Sequence, residues 1–178
     1  DWPAPANVQA LCTTRQGGCS VAPFDSFNLG DHVGDDPRAV AANRPRLQDR
    51  IAACSPDAQT AFLQQVHGTQ VALLDEASLS KDGLCADACV ATGAGQVCTI
   101  MVADCLPVLL TNRQGTRVGA AHAGWRGLAG EGGIGVLETV FQSFWHDPSV
   151  ERSQKATKKR ADDTLAWLGP CIGPDAFE

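Results

Sequence analysis

The sequence predicts a mixed α/β protein, because apolar strand-like runs are interspersed with two stretches whose apolar residues recur at helical spacing. The strand-like runs are 61–66, 70–74, 97–103, 106–111, 117–122 and 165–168, and the helical stretches are 35–53 and 134–146. A third observation concerns chemistry: His67, Cys105 and His122 each follow an apolar run, so strand ends could bring two imidazoles and a thiol to one divalent metal or one substrate.

Taken in order, the segment Asp1 to Gly34 is rich in turn signals (Arg15-Gln16-Gly17-Gly18, Pro23-Phe24-Asp25-Ser26, Asn28-Leu29-Gly30) and is expected as strands with an extended loop. Asp36 before Pro37 supplies an N-cap and first-turn pair for a helix to about Ala53, with Val40, Leu47 and Ile51 on one face. His67-Gly68 separates two strands, 61–66 and 70–74, and the Val, Ile and Ala content of 97–103 and 117–122 makes these the clearest strands of the chain. Asn112-Arg113-Gln114-Gly115 is a turn signal. Read as a hairpin with Arg113 and Gln114 as its two-residue loop, it sets Cys105 directly opposite His122, where Cβ atoms stand about 4.5–5.5 Å apart. Pro107 is expected to make that strand irregular or confine it to a sheet edge. Val136, Val140, Phe141 and Phe144 fall on one face of the helix 134–146. The polar segment His146 to Asp163, with Lys155, Lys158, Lys159 and Arg160, is expected as a solvated loop, and Leu165 to Leu168 as a strand leading into Gly169-Pro170-Cys171-Ile172-Gly173-Pro174.

With 178 residues, no repeat and no linker, the chain is expected to form one domain over 1–178 around one core. A net charge of −6 offers no general basic surface for nucleic acid or anionic membrane, so small molecules are the expected partners, with no nucleic acid and no membrane. No apolar run reaches the roughly 18 residues of a membrane span. Eight cysteines without a signal peptide, irregularly spaced and partly within apolar runs such as Val97-Cys98-Thr99-Ile100, point to reduced thiols in the cytoplasm. Cys85 and Cys89 lack CxxC spacing and are read as packing residues, while His32 and His146 are read as surface residues.

His67, Cys105 and His122 form a legitimate three-ligand set for Zn²⁺ with a fourth position left for water, although buried His and Cys also occur simply as packed residues. The same proximity would serve a metal-free Cys105 nucleophile activated by His122 or His67, and imidazole with thiolate also attracts copper. Asp104 would point to the opposite face from Cys105 in a regular strand, with a kink at Pro107 needed for it to orient a histidine; a turn or cap role is the alternative. Arg126 is a candidate clamp for phosphate or carboxylate, against a surface ion pair, and Trp125 is expected to cover the core rather than stack on a ring. Gly130-Glu131-Gly132-Gly133 lacks the Lys and Ser/Thr of a phosphate-binding loop.

Thr13-Thr14-Arg15, Gly17-Gly18, Asn28-Leu29-Gly30, Asn43-Arg44, Gln65-Val66-His67-Gly68, Ala103-Asp104-Cys105-Leu106-Pro107, His122-Ala123-Gly124-Trp125-Arg126-Gly127, Leu168-Gly169-Pro170 and Ile172-Gly173-Pro174 occur in that order. Together they resemble the YfiH family, also called the laccase-domain or multicopper polyphenol oxidase family and related to the human immunometabolic enzyme FAMIN. The resemblance implies a layered α/β/β/α sandwich of the YfiH/CNF-like type with mixed sheets. It also implies a metal site, usually zinc with copper as the alternative, on His67, Cys105 and His122. Arg126 and Asn28 are expected as substrate-binding residues. The implied activity is that of a purine nucleoside phosphorylase, taking a nucleoside and phosphate, that also deaminates adenosine and cleaves methylthioadenosine. Other members are described as copper polyphenol oxidases or as hydrolases editing a peptidoglycan precursor. The resemblance further implies that 150–163 is an insertion and that elements of the family's C-terminal part, including a Ser-Tyr-Arg-Arg stretch, are lacking after Phe177-Glu178. A chain ending there is expected to bind metal without full activity.

Overall fold

The structure, a computed structural model, describes residues 2–76, 83–146 and 154–176. The chain divides into two compact units, Ala10–Gln59 and Asp1–Gln9 with Thr60–Glu178. In the first unit, helix α1 (Pro37–Ala52) starts as its sequence dictates: Asp36 Oδ1 accepts from the Arg38 N–H at 2.9 Å, and Pro37 occupies the first turn, where no N–H bond is required. Val40, Asn43 and Leu47 are buried, whereas Ile51 is half-buried.

The expectation of strands within 1–34 is not met, as the described residues there form turns and irregular backbone. The physical reason lies on α1, whose side chains satisfy the backbone groups that a strand ladder would otherwise pair. The fully buried Asn43 accepts from the Cys19 N–H at 3.0 Å and donates to Ser20 Oγ (3.0 Å), Asn28 O (2.8 Å) and Ser26 O (3.3 Å). Arg44 donates to Leu29 O, and Arg46 to Gly17 O.

The second unit is built on a five-stranded sheet of β3 (Val71–Leu74), β5 (Ala88–Ala91), β8 (Val118–Ala123), β7 (Leu106–Asn112) and β9 (Thr164–Leu168), in that spatial order. Strands β3 and β5 run parallel, and the other neighbours antiparallel. Alternation along the strands sorts the side chains onto two faces. Ala88, Val90, Val108, Leu110, Ala121 and Ala123 pack with Val136, Val140 and Phe144 of helix α3 (Val136–Phe144), which follows the short helix α2 (Trp125–Ala129). The three α3 residues are wholly buried, and each contributes about 1.5–3 kcal/mol through removal of its side chain from water. On the other face, Cys89, Ala91 and Ala120 cluster with Ala61, Leu63, Leu74 and Ala86. That cluster involves the short strands β1 (Gln59–Ala61), paired with β6 (Gln96–Cys98), and β2 (Leu63–Gln64), paired in parallel with β4 (Leu84–Cys85). The protein is thus a mixed α/β fold with mixed sheets.

Four further expectations change. The strand 97–103 shrinks to Gln96–Cys98, because the Met101 N–H is taken by Gln65 Oε1 at 2.8 Å rather than by a neighbouring strand. Of the proposed loop 146–163, the described part contains helix α4 (Gln154–Asp163), a run of polar helix formers whose described lysines, Lys158 and Lys159, are exposed, while 147–153 lie outside the described residues. The β7–β8 hairpin has a longer connection, 113–117, so that Pro107, not Cys105, stands opposite His122. Asn112 causes this: its Oδ1 accepts from the N–H groups of Thr116 and Arg117, and its Nδ2 donates to Gln114 and Thr116, with Gly115 at φ 66° completing the turn. Pro107 is not at a sheet edge either, since β7 lies between β8 and β9; it occupies the start of the strand, where Pro is tolerated. No described helix is long and apolar enough to cross a membrane.

Candidate metal centre

The register shift moves Cys105 two residues beyond its expected partner, which preserves its face but places it before β7 rather than within it. Cys105 and His67 are brought together by their preceding loops, because the Gln65 side chain both donates to Met101 O (2.7 Å) and accepts from the Met101 N–H (2.8 Å). Cys105 Sγ lies 3.7 Å from His67 Nε2. His122, in β8 and 4% exposed, presents its ring 4.6 Å from that of His67, edge to face at 69°. One ligand atom from each of His67, Cys105 and His122 falls within 4.8 Å of the others.

The residue that sequence reasoning missed is Asp87. It immediately precedes β5 and is wholly buried. The Ala88↔Ala121 pairing sets it opposite His122, whose N–H donates to Asp87 O at 2.7 Å. Asp87 Oδ1 lies 3.0 Å from His122 Nδ1 and accepts from the N–H groups of His67 (2.8 Å) and Val66 (3.1 Å). Oδ2 accepts from the Gly68 N–H at 2.7 Å. Burial pushes the Asp87 pKa up, but the hydrogen bonds from His122 and then from Gly68, Val66 and His67 outweigh it, holding the carboxyl below its ordinary 3.8. The available signal was a single acid flanked by alanines at the head of an apolar run, Ala86-Asp87-Ala88-Cys89-Val90, since a charge buried there requires several donors. Asp104 does not do this work: it is exposed, its carbonyl accepts from the Ile172 N–H, and its side chain faces the Cys105 thiol.

Burial, then the Asp104 charge and hydrogen bond, then the Asp87 charge raise the Cys105 pKa above 9.0, which disfavours a metal-free thiolate nucleophile at neutral pH. The donor set fits a divalent ion. Around tetrahedral zinc, bonds of about 2.0–2.3 Å put ligand atoms roughly 3.5 Å apart, close to the 3.7 Å between Sγ and Nε2. A divalent charge also reverses the preference of the thiol for its proton. The group could therefore hold zinc or copper.

Arg126 follows Gly124-Trp125 in α2, with its guanidinium 4.5 Å from the Trp125 ring centroid. Trp125 is 56% exposed, which corrects its expected role as a core cover; its side chain flanks Arg126 instead. Asn28 belongs to the Ala10–Gln59 unit, where its amide donates to Gly30 O and Asp35 Oδ2 and accepts from the Gly30 N–H. His32 and His146 are exposed, Cys89 is packed in the core, and Cys85 is exposed rather than packed. Gly130-Glu131-Gly132-Gly133 forms a tight turn closed by a Glu131–Ile134 bridge.

Fold and site together define a mixed α/β protein with a His/Cys/His group of metal-binding type. The chain belongs to the multi-copper polyphenol oxidoreductase laccase family, whose profile matches residues 9–178. It is 51% identical over 178 residues to a purine nucleoside phosphorylase of Pseudomonas aeruginosa, covering 100% of this chain and 63% of the relative. It is 47% identical to the purine nucleoside phosphorylase YfiH of Escherichia coli, covering 99% of this chain and 64% of the relative. The chain thus spans a little under two thirds of the length of these curated relatives. Among solved structures, a Neisseria meningitidis protein superposes with a TM-score of 0.81 at 43% identity, covering 99% of this chain and 63% of the other. YlmD from Geobacillus stearothermophilus superposes with a TM-score of 0.76 at 30% identity, covering 93% of this chain and 58% of the other.

Proposed function

We propose that the chain carries the metal centre of a zinc-dependent purine nucleoside phosphorylase that also deaminates adenosine and cleaves methylthioadenosine. The observation that carries this reading is the convergence of His67, Cys105 and His122, in a chain whose close relatives are named purine nucleoside phosphorylases. A metal held there supplies Lewis acidity to a substrate atom. The chain's own side chains perform the rest. Asp87 orients His122, the half-buried Cys105 and buried His122 limit water on one side of the group, and exposed His67 leaves the other side open to a nucleoside. Arg126 offers a planar fork of donors that matches phosphate, the co-substrate that receives the ribosyl carbon as the glycosidic bond breaks. With all eight cysteines unpaired, the reaction belongs in the cytoplasm.

The test is Cys105→Ala, which is expected to abolish inosine phosphorolysis and adenosine deamination together; unchanged turnover of both overturns the reading. Elemental analysis of protein purified without added metal is expected to find one zinc per chain. Several coppers with a visible absorption band would instead support the copper-dependent polyphenol oxidase reading, which requires more ligand clusters than the single group found among the described residues. Turnover of a muramoyl-amino-acid nucleotide in place of inosine would favour the hydrolase that edits a peptidoglycan precursor.

A further inference from the structure

We propose that Asp87 is the positioning residue of this centre: its carboxylate holds His122 in the Nδ1–H tautomer, leaving Nε2 free for the metal, and clamps His67 in the conformation that turns its ring toward Cys105. The inference rests on the metal reading above, but its core claim can be measured on metal-free protein.

Three observations carry it. The first is a donor count. A carboxylate is acceptor-only, with about four lone-pair sites on its two oxygens, and four hydrogen-bonding nitrogens face Asp87: the N–H groups of Val66, His67 and Gly68, and His122 Nδ1. The three amides are fixed donors, so the fourth bond is satisfied only when Nδ1 also carries its proton. Neutral imidazole has one N–H, so Nε2 then keeps its lone pair.

The second observation is that Asp87 cannot turn away. Its backbone is pinned on both sides, by its N–H to Gln70 O (3.0 Å) and by its carbonyl to the His122 N–H (2.7 Å), and its side chain is wholly buried. The third is the backbone of His67, at φ 60° the one non-glycine residue in the left-handed region among those described. That conformation is unfavourable for a residue with a Cβ. Here the successive N–H groups of 66–68 converge on the Asp87 carboxylate, and this offsets the cost. One buried acid therefore governs two of the three candidate ligands, through the ring of one and the main chain of the other. An acid that merely anchored the loop would have no need of the imidazole, and one that merely oriented the imidazole would have no need of three amides.

The experiment follows the ring nitrogens of His122 by long-range proton–nitrogen correlation NMR on ¹⁵N-labelled, metal-free protein, alongside zinc affinity measured by competition with a chromophoric chelator. Wild type is expected to show Nδ1 protonated and Nε2 unprotonated. Asp87→Ala is expected to lose that preference and to bind zinc about 10–100-fold more weakly, the usual effect of removing the carboxylate behind a ligand histidine. Asp87→Asn, which keeps one acceptor oxygen, is expected to restore the tautomer and part of the affinity, an outcome that loss of packing alone would not produce. A wild-type His122 in the Nε2–H form overturns the proposal even if Asp87→Ala fails to fold. So does a folded Asp87→Ala protein that binds zinc within about threefold of wild type with an unchanged tautomer. Wild type that takes up no zinc while His122 keeps Nδ1–H sinks the metal reading alone, since the tautomer still supports the hold of Asp87 on the imidazole.

Discussion

Substituting Gly124 by alanine separates metal binding from folding. Gly124 is buried and extended, at φ −71° and ψ 159°, a conformation open to any residue, so alanine brings no backbone strain. Its added Cβ, however, would lie 2.8 Å from His67 Cδ2 and 2.9 Å from Cys105 Sγ, between two of the three candidate ligands. Carbon atoms are at ease at about 3.5–4.0 Å, so each side chain must retreat by roughly 0.6–1.2 Å. Overpacking of this size costs about 1–3 kcal/mol. Because the clashing atoms are movable side-chain ends rather than backbone, most of that cost falls on the mutual placement of His67 and Cys105. The expected result is a zinc affinity lowered by about 5–150-fold, the same free energy expressed as a binding ratio, with the metal-free melting temperature little changed. Chelator competition and thermal unfolding with and without zinc measure the two quantities. Gly68→Ala serves as the milder control, its Cβ coming only to 3.3 Å of Asp87 Oδ2, although that contact also touches the carboxylate clamp. Gly124→Ala protein that is folded and binds zinc as tightly as wild type would refute the placement of His67 and Cys105 around a common ion.

Other residues offer independent checks. Asn43→Ala strips the Cys19 amide of its acceptor and Ser20, Ser26 and Asn28 of a donor, and is expected to cost about 2–4 kcal/mol in urea unfolding. Arg126→Ala is expected to raise the KM for phosphate about 10–150-fold, the equivalent of losing charge-assisted bonds of about 1.5–3 kcal/mol, with a smaller effect on nucleoside KM in steady-state assays. Hydrogen bonds from Ser20 and Asn28, with a smaller one from the Asp36 N–H and against partial burial, hold the Asp35 carboxyl below its ordinary 3.8. A depressed folded-state value means that its stabilisation is complete above 3.8 and is lost as pH falls through the lowered value. Asp35→Asn should therefore flatten the loss of stability as pH falls below 3.8, as measured by urea titration at each pH.

What could be read from the sequence divides along a physical line. Elements specified by their own residues were predictable: α1 from Asp36-Pro37 and the apolar spacing after it, α3 from Val136, Val140 and Phe144, and β8 and β9 from their composition. Elements that depend on a distant side chain were not. Nothing local in 17–29 indicates that Asn43 will satisfy its backbone, and nothing in 99–103 indicates that Gln65 will capture the Met101 amide. In the same way, the hairpin register turned on Asn112, whose side chain closes a longer turn than its neighbour Gly115 suggested.

The candidate grouping survives the register error because side chains alternate along a strand with a period of two. A slip of one residue would have sent Cys105 to the α3 side of the sheet, whereas the actual displacement of two left it on the face it shares with His122. Cys105 also does not depend on strand pairing for its place, since the Gln65–Met101 exchange carries its loop toward His67. The candidate ligand types and their order were therefore visible from residues 67, 105 and 122 alone. Asp87 was not, because a buried carboxylate is defined by its donors, and these come from 66–68 and from 122, segments that meet it only when β3 and β8 pair with the two sides of β5. That dependence makes the carboxylate a sharper reporter of the assembled group than any of the three candidate ligands.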